Sequence, residues 1–71
     1  MKELFLSQTL KDNKAVIVRD GQDCPDGYVE VAGAFTAKGE ISIAVPEELM
    51  QNEKLIKKLS DEAGNCIMKY M

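Results

Sequence analysis

The chain contains no histidine and no tryptophan, and only two cysteines, two prolines and four other aromatic residues, Phe5, Phe35, Tyr28 and Tyr70, among its 71 residues. Each scarcity narrows the chemistry. Without histidine, Ser–His and Cys–His nucleophilic catalysis as usually built are excluded. Two cysteines and no histidine leave one chain short of a Cys₄ or Cys₂His₂ zinc site. Four scattered aromatic rings make no stacking platform for nucleic-acid bases. No apolar run approaches the roughly 20 residues of a membrane span. The N-terminal apolar stretch is broken by Ser7, too early for a secretory leader. No glycine-rich turn leads into a helix, as a phosphate cradle would require. From these absences a non-enzymatic cytoplasmic protein is expected, with no cofactor, no nucleic-acid partner and no membrane.

The composition that remains is that of one small globular domain spanning residues 1–71. The apolar fraction is 45% and the charged fraction 30%, with both signs mixed, which argues against a disordered tail. The net charge of -3 is spread along the chain, with neither half forming a basic arm or an acidic tail. The lysines at 54, 57 and 58 are diluted by acids at 53, 61 and 62, so they read as a solvated helix face rather than a nucleic-acid footprint.

Residues 40–71 organise the pattern. Pro46 suits a first helical position, and Glu47 and Glu48 suit the positive end of a helix dipole. Leu49, Asn52, Ile56, Leu59 and Ala63 then recur at spacings of three and four, with Leu55 widening the stripe. Gly64 and Asn65 read as the stop of that helix, and residues 66–70 as a final strand.

Upstream, Leu4, Leu6 and Leu10 fall at even numbers with Phe5 opposite, predicting a strand over residues 3–10. Lys11 to Lys14 is a polar turn, and the β-branched run at 15–19 is an interior strand, so the two form an expected hairpin. In residues 28–36, Val29, Val31 and Phe35 are predicted on one face, and Tyr28, Glu30, Ala32 and Ala34 on the other. Gly33 interrupts the first face, as a bulge or a close approach would require. Ile41, Ile43 and Val45 make the partner strand of a second hairpin. The expected fold is α+β and two-layer: a mainly antiparallel sheet with one helix packed on one face, in the order β-β-β-β-α-β, the last strand parallel to its neighbour through a right-handed crossover.

Two candidate functions follow. The first is a protein-interaction or regulatory module that self-associates or binds a protein partner. Its contact surface is an open, weakly polar sheet face, including Tyr28, Glu30 and Ala32, or a C-terminal edge strand carrying Ile67, Met68 and Tyr70. A homo-oligomer is the expected state. The second is a small ligand- or calcium-binding protein using the loop at residues 20–27. There Asp20, Asp23 and Asp26 recur with Gly21 and Gly27, although the spacing departs from an EF-hand and equally describes a solvated turn. Cys24 and Cys66, far apart in sequence, are expected as free thiols in a reducing compartment. The acids beside Cys24 oppose its activation as a nucleophile. No catalytic residue is assigned.

Overall fold

A computed structural model describes residues 4–37 and 39–70. The protein is an α+β fold with a three-stranded antiparallel open sheet and a C-terminal helix. In chain order a short helix α1 (Gln8–Asp12) precedes β1 (Val16–Arg19), β2 (Tyr28–Thr36) and β3 (Gly39–Pro46). A 3₁₀ turn at Glu47–Gln51 then leads into α2 (Glu53–Tyr70).

The expected strand at residues 3–10 is not formed: residues 4–7 have no regular secondary structure, and α1 follows (Glu3 lies outside the described residues). The cause is local capping. Leu10 N–H donates to Ser7 Oγ at 3.4 Å, and Lys11 N–H to the Ser7 carbonyl at 3.0 Å. Gln8 Nε2 donates to Asp12 Oδ1 at 2.8 Å, one turn along. Asn13 then closes the helix through Nδ2 to the Thr9 carbonyl at 2.8 Å, and Lys14 turns the chain away with φ of 61°. Leu4 and Leu10 still reach the core, but from a helix and its lead-in rather than from one pleated face.

The first hairpin is therefore absent. β1 pairs instead with the far side of β3, in the sheet order β1-β3-β2. The second hairpin is present, from Tyr28 opposite Pro46 to Thr36 opposite Gly39. β3 is the central strand, and every residue from Ile41 to Val45 is buried. Ile41, Ile43 and Val45 join Leu59, Ala63 and Ile67 of α2, with Leu4 and Leu10, in one core cluster. Burying a side chain of this size contributes about 1.5–3 kcal/mol.

The helix differs from expectation at both ends. Pro46 is the last residue of β3, and Glu47 and Glu48 occupy the 3₁₀ turn. The α-helix begins only after Asn52, whose Oδ1 accepts the Leu55 N–H at 3.1 Å. Asn52 is thus a cap, the residue type most favoured there, and not a member of the apolar stripe. At the other end Gly64 does not stop the helix, and the strand expected at 66–70 is its last turns. A mid-helix glycine costs only about 1 kcal/mol relative to alanine. Continuing the helix puts Ile67 at 4% exposure in line with Leu59 and Ala63, and packs Cys66 and Tyr70 against the same cluster. With no strand at 66–70, there is no parallel crossover.

β1 and β2 both run antiparallel to β3, so they are parallel to each other, and the connection at 20–27 must cross the sheet from one end to the other. Helix α2 occupies one side of β3. On the opposite side lie Ser42 and Ala44, yet their exposures are 2% and 0%. Gly21 and Gln22 border the same depression as Val18, Glu30 and Ser42, which places the crossing loop over that side. Its ends are pinned. The Arg19 N–H donates to Gln22 Oε1 at 2.9 Å, and the Glu47 N–H to the Gly27 carbonyl at 2.7 Å.

Candidate interaction surface

The surface begins with an irregularity in β2. Glu30 stands opposite Ala44, and Ala32 opposite Ile43, so Val31 is the extra residue of a bulge. A bulge of this kind reverses the inside–outside alternation beyond it. Before it, Val29 opposite Val45 faces α2, as expected. After it, Ala32 and Ala34 face α2, opposite Ile43 and Ile41, and pack on the core cluster. Gly33 and Phe35 move to the other side, opposite Ser42 and Glu40. Phe35, predicted to share a face with Val29, is consequently 81% exposed.

Gly33 itself is not the bulge. A Cβ there would come within 3.2 Å of the Ser42 Cβ and 3.4 Å of the Ile41 carbonyl oxygen, so its glycine is explained by close approach of the neighbouring strand rather than of the helix.

The six residues expected to contact a partner are dispersed. Tyr28 and Glu30 lie on β2 before the bulge, half-buried and exposed respectively. Ala32 lies beyond it, on the helix side. Ile67 is a core residue of α2. Tyr70 packs against the core from the last turn of that helix. Met68 projects outward and is 75% exposed. There is no C-terminal edge strand to hold the last three, and the sheet side that was to be open is crossed by the loop at 20–27.

The loop carries little sign of a cation site. Gly21 and Gly27 take left-handed φ values of 83° and 82°, as tight turns require. No group of three or more potential metal-binding side chains occurs among the described residues. Asp20, Asp23 and Asp26 are exposed. Cys24 Sγ donates to the Tyr28 carbonyl at 3.4 Å, a contact that folds the loop back on the start of β2. Cys24 and Cys66 are both free thiols. Lys54, Lys57 and Lys58 are exposed on α2.

What the fold does leave uncovered is the outer edge of β2. Among the described residues it is the longest strand, nine residues, and pairs on one side only. Its single charge is Glu30, upstream of the bulge. Exposed edges of this kind are usually blunted by charge, proline, a bulge or shortness; beyond the bulge at Val31, residues 32–36 carry no charge and no proline. On the helix side of the edge runs a shallow groove of about 350 Å³ between β2 and α2, bordered by Ala32, Ala34, Ser60, Asp61, Gly64 and Met68. On the other side stands Phe35. The one signal in the sequence for this arrangement is that Val29, Val31, Ala32 and Ala34 cannot all face the core with unbroken alternation.

No family model, no curated protein and no solved structure matches this chain. No helix among the described residues is long and apolar enough to cross a membrane.

Proposed function

We propose that the protein is a non-enzymatic cytoplasmic interaction module, a two-layer domain that self-associates or holds a protein partner through the outer edge of β2 and the sheet surface around Phe35. One observation carries the reading. A phenylalanine that is 81% exposed stands on an edge strand with no charge from Val31 to its end. Large aromatic side chains are over-represented at the centres of protein contacts, and an unpaired strand edge supplies a ready row of backbone donors and acceptors. The small size of the domain points the same way, because domains near this length often gain stability from a partner. The absence of histidine from the sequence makes catalysis the weaker reading.

Native mass spectrometry of the untagged protein, purified without chelator, tests the reading. A second copy or another polypeptide bound to the chain supports it. A bare monomer at high micromolar concentration, or a monomer carrying a metal or a small molecule, overturns it.

A further inference from the structure

The occupant of the β2 edge can be argued from the edge itself. Past the bulge, β2 alternates cleanly: Ala32, Ala34 and Thr36 face the helix side, and Gly33 and Phe35 the other. This uninterrupted stretch runs from Ala32 to Thr36, where the strand ends. An antiparallel two-fold pairing that uses all of it has its axis at Ala34, the midpoint. Ala34 then faces the partner's Ala34, Ala32 faces the partner's Thr36, and Phe35 lies directly across from the partner's Gly33.

We infer that the partner is a second copy of this chain, paired β2 to β2 in this register, so that each exposed Phe35 ring covers the bare backbone of the partner's Gly33. The inference rests on the interaction-module reading above. Three features favour self-pairing over a foreign strand. The first is mutual fit: a cross-strand aromatic ring over an edge glycine stabilises an otherwise weak strand position, and here one strand carries both members two residues apart. Gly33 cannot supply its own cover, because a Cβ there would crowd Ser42. The second is charge. Each copy carries a net charge of -3, yet the paired strand stretch has none, so no like charges meet within the ladder, and Asp61 of α2 borders the groove beside it. The third is the helix side of the seam. The groove beside Ala32 and Ala34 is lined by Ser60 and Gly64, where a Cβ on Gly64 would meet nothing within 4 Å, and Met68 stands at its margin 75% exposed. A neighbouring copy has room to approach there, with an adaptable side chain to cover.

Alternative axes use the strand less well. An axis at Phe35 runs the pairing past Thr36 into the turn and leaves both glycines bare. An axis at Gly33 sets Phe35 against Val31, inside the bulge.

The test combines association and register on the full chain. Sedimentation equilibrium should show a dimer for the native sequence. Phe35→Ala should weaken it by at least about ten-fold in Kd and leave the thermal melt of dilute protein unchanged, since the ring is exposed. In a Cys24→Ser, Cys66→Ala background, Ala34→Cys should form an intermolecular disulfide under mild oxidation, because residues directly opposite in a ladder lie within disulfide reach. Ala32→Cys in the same background should not. A dimer whose Kd ignores Phe35→Ala, or in which position 32 cross-links and position 34 does not, overturns this pairing and leaves the interaction-module reading standing. A native chain that stays monomeric overturns the pairing, and overturns the interaction-module reading as well if no other polypeptide is bound to it in the native mass spectrum.

Discussion

Gly39 lies against Asp20 at the end of the sheet: with φ of 115°, a Cβ on Gly39 would sit 2.9 Å from the Asp20 Cβ. The contact joins the residue that leaves β1 to the residue that starts β3. It holds the crossing loop down where it departs. Gly39→Ala meets both penalties, a left-handed backbone and a clash, and should lower stability by about 1–3 kcal/mol in chemical denaturation. A loss under half a kcal/mol, on the order of ordinary surface substitutions, would mean that Asp20 is not held there.

The cap at Asn52 gives a second test. Its Oδ1 accepts the Leu55 N–H at 3.1 Å, so Asn52→Ala should cost about 1 kcal/mol. Asn52→Asp should keep the stability, because a carboxylate accepts the same bond and favours the helix N-terminus. Equal losses in both variants, read from urea midpoints, would place the start of α2 elsewhere.

Gly64 offers a gain. It lies inside α2, and an added Cβ meets no atom within 4 Å. Gly64→Ala should therefore raise the stability of dilute protein by about 0.5–1 kcal/mol through a less flexible unfolded chain and better helix propensity. Were residues 66–70 a strand and Gly64 a helix stop, the same change would destabilise. The sign of the shift decides between the two.

The core is tested at Leu59, which is fully buried in the cluster that also holds Leu10 and Ile43. Leu59→Ala should cost about 2–5 kcal/mol. Ile56, in the same predicted stripe, is only half-buried, and its truncation should cost less. Met68→Ala, on the exposed face, should be close to silent in dilute protein. A ranking with Met68 above Leu59 would reverse the helix.

The parts of this molecule legible in the sequence are those that depend on neighbours close in the chain. Alternating apolar residues and a short turn between residues 28–36 and 39–46 specify their hairpin. The β-branched run at 15–19 specifies a strand, and the three-and-four spacing through Leu59 and Ala63 a helix that packs on the sheet. What only tertiary structure decided are choices between local options of similar energy. Ile67 is as acceptable in a strand as in a helix by propensity, and its burial beside Ala63 outweighs a glycine's cost. β1 has no local preference for residues 4–10 over β3, and once Ser7 capped a helix only β3 remained. The face of Phe35 hinges on the extra residue at Val31, because strand side chains alternate with period two and a single insertion reverses all that follows. Local spacing determines the elements; long-range pairing determines which surface is left open.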